Sequence, residues 1–138
     1  NQIILNLVLN ARDTLIEKLS LPHPDGWIPV IRVEAAQLPV GAMNRLDPSL
    51  PSRREILGWQ RLTIRDNGMG MTPEVRERVF EPFYTTRDMG TGLGLSVVNR
   101  ILEGYNGVID IQSVMGKGTT CMIWFPSNFI PSDKNEIH

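Results

Sequence analysis

At 138 residues the chain suits one domain, and with 41% hydrophobic residues it has enough apolar mass for a core. A net charge of −1 gives no electrostatic pull toward nucleic acid or an anionic membrane, and no apolar run is long enough to span a bilayer. Cys121 is the one cysteine, so an internal disulfide is excluded, no Cys/His cluster suggests zinc, and a reducing, cytoplasmic compartment is expected.

The chain opens on Asn1, inside a helical pattern and without the basic stretch and cleavage site of a signal peptide, as an excised fragment would. Ile3, Ile4, Leu7, Val8, Ala11, Leu15 and Leu19 recur at spacings of three and four and predict a helix over residues 2–19. LPHPDG breaks it. Residues 28–38 and 59–65 read as two strands of one antiparallel pair, separated by a long loop over 39–58. After DNGMGM (66–71), Thr72 is a candidate N-cap with Pro73 at the first helical position. A glycine-rich stretch, Gly90 to Gly94, opens a second long helix over residues 95–105 that ends at or near Gly107. VIDIQSV and TTCMIWF are strands joined by the turn MGKG. Hairpins in place of crossovers predict an α+β fold, a two-layer α/β sandwich whose mixed, mostly antiparallel sheet carries helices on one face. Residues 1–126 are expected to form this domain, N-terminally truncated, and 127–138 a polar tail.

Four stretches hold residues suited to chemistry. On the first helix Asn6, Asn10 and Asp13 share one face. An amide oxygen there is a hard ligand suited to Mg²⁺, although a solvated polar face looks the same in sequence. GTGLGL (90–95) exposes backbone N–H groups at a helix N-terminus and suits phosphate, or serves as a hinge. It is neither a dinucleotide fingerprint nor a P-loop. In FEPFYTTRDM, Phe80 and Phe83 anchor a loop whose cation, Arg87, has the reach for a terminal phosphate; a packed aromatic pair before a surface loop is the plain alternative. Asp66, where the chain leaves a strand, is an acceptor for an exocyclic amino group such as that of adenine. Gly68 and Gly70 let backbone approach a flat ring, and Met71 offers an adaptable apolar surface. A capping Asp in a glycine turn explains the same residues when they are taken alone.

NLVLNARDTL, DNGMGM, FEPFYTT, GTGLGLSVV and GKGTT occur in the order and approximate spacing of the N, G1, F, G2 and G3 boxes of sensor histidine kinases. Over about residues 1–126 the sequence therefore resembles that family, within the superfamily of DNA gyrase, the chaperone Hsp90 and the mismatch-repair protein MutL. The resemblance implies ATP and Mg²⁺ as ligands. It makes Asn10 and Asn6 metal-binding positions and Asp66 the reader of adenine. Gly68, Gly70 and Met71 then lie beside the base, and Arg87 sits on the lid near the γ-phosphate. Gly90, Thr91, Gly92, Leu93, Gly94 and Leu95 surround the phosphates, and Thr119 supports Asp66. It further implies a histidine phosphoacceptor and dimerisation domain outside this chain, a response-regulator receiver domain as second acceptor, and a homodimeric intact protein, with membrane attachment open. No group of this fragment beyond those that position ATP is expected to be catalytic. His23 and His138 lack the setting of an acceptor.

The sequence departs from the family at Asp13, where many kinases carry Lys, in the long 39–58 loop and in the short lid from Tyr84 to Met89. Two alternatives stay open. One is an ATP-hydrolysing clamp, disfavoured because its water-activating glutamate would fall at Asn6 and an amide is no base. The other is a non-catalytic nucleotide-binding module, disfavoured by the intact Asn10, Asp66 and glycines.

Overall fold

The computed structural model describes residues 2–39, 58–82 and 94–127. Three helices, α1 (Gln2–Leu19), α2 (Pro73–Arg78) and α3 (Gly94–Gly104), accompany four strands, β1 (Ile31–Leu38), β2 (Gly58–Asp66), β3 (Val108–Val114) and β4 (Gly118–Ser127). The sheet order is β1-β2-β4-β3. Every described pair is antiparallel, in keeping with the mostly antiparallel sheet expected from sequence: each strand meets its neighbour with reversed direction.

Alternation along the strands sends one set of side chains toward the helices. Ile64, Ile111, Cys121 and Ile123 meet Ile3, Leu7 and Ala11 of α1 and Val98 and Leu102 of α3 in one core. Trp59 and Trp124, at strand positions of opposite parity, form a second buried cluster with Leu38, Val108 and Met122. The two-layer arrangement is thus fixed by period-two and period-3.6 patterns that meet over one sheet face.

Some element ends differ from expectation, for local reasons. β1 begins at Ile31 rather than residue 28. Over residues 28–30 the side chain of Asn67 replaces the ladder: its amide donates to the Ile28 carbonyl and accepts from Val30 N–H, each at 2.8 Å. Pro29 between them has no N–H to pair. Thr72 does cap α2, its hydroxyl accepting the Val75 N–H at 3.3 Å, with Pro73 at the first turn. α3 stops at Gly104, earlier than the sequence suggests. Asn106 takes a left-handed φ of 57°, and Gly107 N–H closes on the Leu102 carbonyl at 2.8 Å while Asn106 N–H reaches Glu103, a Schellman ending.

On α1, Ile4 and Leu19 belong to the apolar stripe read from sequence, yet both are exposed. The buried stripe is Ile3, Leu7, Ala11, Thr14, Leu15 and Lys18. Its last turns carry a hydroxyl and an ammonium because they face a loop, not the core. No helix among the described residues is long and apolar enough to cross a membrane.

Candidate functional site

β2 ends at Asp66, a residue only 8% exposed. Gly68 N–H donates to its Oδ1 at 2.9 Å. The loop that follows is tied down on two sides. Thr14 of α1 accepts the Met69 N–H at 2.9 Å. The β3–β4 turn returns Gly116 N–H to the Met69 carbonyl at 2.6 Å, and Ser113 accepts the Met71 N–H at 2.7 Å.

This nesting gives the glycines a reason inside the protein. A Cβ on Gly68 would stand 2.7 Å from Thr14 Oγ1 and 3.0 Å from Asp66 Oδ1. Gly70 has a φ of +70°, and a Cβ there would run into the Val114 carbonyl. The glycine turn with a capping Asp, one of the two readings the sequence offers, is present here, and the loop needs both glycines to seat between α1 and the turn. Met71 is half-buried and packs on the main core.

Thr119 is the register partner of both Asp66 on β2 and Ser113 on β3, so the three share one row and one face. The Ser113 hydroxyl donates to the Gly118 carbonyl at 3.1 Å and lies 2.8 Å from Thr119 Oγ1. Ser113 has one proton to give, so Thr119 donates in that pair. Thr14, Lys18 and Ser113 were missed in the sequence. Each interrupts an apolar face: Thr14 and Lys18 fall on the α1 stripe, and Ser113 follows Ile109 and Ile111 at every second position. A polar residue at a core position was the available signal.

Lys18, buried at 7% exposure, reaches the same loop. Its Nζ donates to the carbonyls of Asn67 at 3.1 Å, Gly116 at 2.8 Å and Gly68 at 3.4 Å, and lies 4.9 Å from the centre of the Trp27 ring. As the cation of the last helical turn it also opposes the negative end of the α1 dipole.

Asn10 and Asn6 lie on α1 one and two turns before Thr14, about 6 and 12 Å from it along the axis. Both are half-buried beside the stripe. Asn6 Oδ1 accepts from Gln2 Nε2 at 3.0 Å. The Asn10 side chain makes no hydrogen bond among the described residues. Asp13 is drawn to its neighbour Arg12 in an exposed ion pair at 3.0 Å. Gly94 opens α3, and Leu95 packs on the core. Phe80 does the same. Phe83, Arg87, Gly90, Thr91, Gly92 and Leu93 lie outside the described residues, as does the expected lid. Among the described residues no group of three His, Cys, Asp or Glu side chains could hold a metal.

Residues 1–128 match the family described as histidine kinase-, DNA gyrase B- and HSP90-like ATPase. The chain belongs to this family. Within it, the chain is similar to sensor histidine kinases. It is 31% identical over 132 residues to sensor histidine kinase ZraS of Escherichia coli K12, covering 96% of this chain and 22% of that protein. It is 34% identical over 117 residues to the methanogenesis regulatory histidine kinase FilI of Methanothrix harundinacea, covering 75% of this chain and 13% of that one. The chain thus spans less than a quarter of the length of these relatives. Among solved structures, the mycobacterial sensor histidine kinase MprB superposes with a TM-score of 0.62 at 25% identity, over 91% of this chain and 68% of that one. Full-length ShkA in complex with AMPPNP gives 0.64 at 24% identity, over 91% and 20%, and supports the fold.

Proposed function

We propose that this chain is the ATP-binding catalytic module of a sensor histidine kinase and presents the γ-phosphate of Mg-ATP to a histidine outside the chain. The observation that carries this reading is the Asp66 loop. A nearly buried carboxylate, oriented by Gly68 N–H, stands at the end of β2 beside the α1 helix that carries Asn10 and Asn6. A carboxylate has lone pairs for several donors, so one that accepts the Gly68 N–H can also accept from a donor such as adenine's amino group. On this reading Asn10 and Asn6, one and two turns before Thr14 on α1, would face the phosphate end of the nucleotide.

Mg²⁺ fits this donor set. The Asn10 amide is unengaged by described residues, and a hard cation that shares phosphate oxygens and keeps waters needs few protein ligands. Asn10, with Asn6, would hold it. When bound, the ion neutralises charge on the transferring phosphoryl group. Arg87 on the lid and Gly90 to Leu95 would enclose the phosphates, Gly68, Gly70 and Met71 would line the base side, and Thr119 would back Asp66. The acceptor histidine would belong to a dimerisation domain of the same protein, a homodimer, and the phosphoryl group would pass on to a receiver domain on the cytoplasmic side. An amide at position 6 cannot activate water, which disfavours the hydrolytic clamp.

Titration calorimetry with a non-hydrolysable ATP analogue tests the reading. We expect binding assisted by Mg²⁺, weaker binding of the GTP analogue, and a loss of at least about 2 kcal/mol in Asp66→Asn, where an amide donor faces adenine's amino donor. Equal affinity for both bases, or an unaffected variant, would refute it.

A further inference from the structure

Asp66 does not orient itself. Its carboxylate is set by the Gly68 N–H at 2.9 Å, and that N–H shares one peptide plane with the Asn67 carbonyl. The carbonyl end of the plane is held twice, by Lys18 Nζ at 3.1 Å and by Trp27 Nε1 at 3.1 Å. The same ammonium reaches the Gly68 carbonyl at 3.4 Å and the Gly116 carbonyl of the β3–β4 turn at 2.8 Å. Its three N–H donors thus meet three carbonyls from two segments that are distant in the chain.

A buried ammonium is costly unless its donors are used, and charge-assisted bonds are the strong ones. The loop's other ties, Met69 to Thr14, Gly116 to Met69 and Met71 to Ser113, are between neutral groups. Among the described residues, only the Lys18 contacts grip the plane that carries the Gly68 donor together with the turn beside it. A cation on the Asn67 carbonyl also polarises the peptide and strengthens its N–H as a donor.

We propose that Lys18 is a positioning residue for base recognition, acting on Asp66 through the Asn67–Gly68 peptide. The inference rests on the nucleotide reading of the site. Without the ammonium the peptide turns more freely, the Gly68 N–H no longer aims the carboxylate firmly, and discrimination between bases falls.

The test uses the chain with Lys18→Met, which keeps an apolar stem of similar length. Binding of ADP is expected to weaken at least about tenfold, while GDP changes little, so the preference for adenine collapses. A fold defect alone would lower both together, and an unchanged ADP-to-GDP ratio overturns the inference. Hydrogen exchange at Gly68 N–H in the nucleotide-free chain is an independent readout: about tenfold faster exchange in the variant is expected, and unchanged protection overturns the inference. Faster exchange in a chain whose unsubstituted form binds no adenine nucleotide would sink the functional reading and uphold the Lys18 linkage. Should the variant fail to fold, the unsubstituted chain decides. The ¹⁵N resonance of the Lys18 ammonium should be protected from exchange and shift with ADP but not with inorganic tripolyphosphate. A rapidly exchanging Lys18 ammonium, or one indifferent to ADP, counts against the proposal.

Discussion

Asp66 illustrates how one side chain acquires a role from its surroundings. Its position on β2 buries it, the Gly68 N–H aims it, and Thr14 and Lys18 hold the loop that supplies that N–H. Cys121 is the opposite case. It sits in the core between Ile64 and Ile111, and burial, with Asp110 adding to it, pushes its thiol up to about 12. The thiolate is the reactive form, so the folded chain should resist thiol reagents at neutral pH and react only on unfolding. The raised value also fixes a sign. Between 9.0 and about 12 the folded thiol keeps a proton that the unfolded one loses, so this group's contribution to stability is full below 9.0 and declines as pH rises through that window. Denaturant melts across that range, compared with Cys121→Ser, should show the smaller pH slope in the variant; equal slopes would exclude the effect.

At the scale of elements, the sheet ends where side chains take over from backbone. Asn67 continues the β1–β2 ladder by two side-chain bonds to residues 28 and 30, and its backbone N–H reaches the Val30 carbonyl at 3.4 Å. Asn67→Ala removes both side-chain bonds. It should cost about 1–2 kcal/mol and speed exchange at the Val30 amide, while β1 from Ile31 onward keeps its protection. Loss of protection along the whole strand would show instead that Asn67 nucleates the pair. Helix ends obey the same logic. Thr72 and Pro73 start α2 as their residue types prescribe, whereas α3 ends where Asn106 accepts a left-handed conformation. Boundaries are set by which group satisfies the last unpaired N–H or carbonyl, and a partner distant in sequence, such as Asn67 for Val30, is invisible to a local pattern.

For the whole molecule, the question is what the chain does alone. His23 is exposed in the segment after α1, its Nδ1 2.9 Å from the Leu21 carbonyl and its ring 5.1 Å from Trp27. Nothing in that setting resembles an acceptor aimed at a bound phosphate. The proposed function therefore predicts that the chain with Mg-ATP acquires no phosphohistidine. Supplied in trans with the histidine-bearing dimerisation domain that this proposal calls for, it should transfer radiolabel from γ-³²P-ATP to that domain. Label on the chain itself would contradict the division of labour argued above.

Fold class, element order and the family were legible in the sequence because they rest on repeating signals: apolar periods of 3.6 and 2, proline and glycine punctuation, and five boxes in order. Asn10, Asp66, Gly68, Gly70 and Thr119 could be proposed as site residues for the same reason, since each stands in a box. The sheet order, the β2–β4 pairing and the neighbours that require the glycines could not. Gly68 is glycine because Thr14 lies against it, and Gly70 because the Val114 carbonyl does. Lys18 stands in none of these boxes. Only the packing of α1 against the Asp66 loop and the β3–β4 turn brings its ammonium to three carbonyls up to 98 residues away along the chain. Periodicity reports which face of an element is buried, but what that face meets is decided by elements far apart in sequence, and a buried cation takes its meaning from those partners.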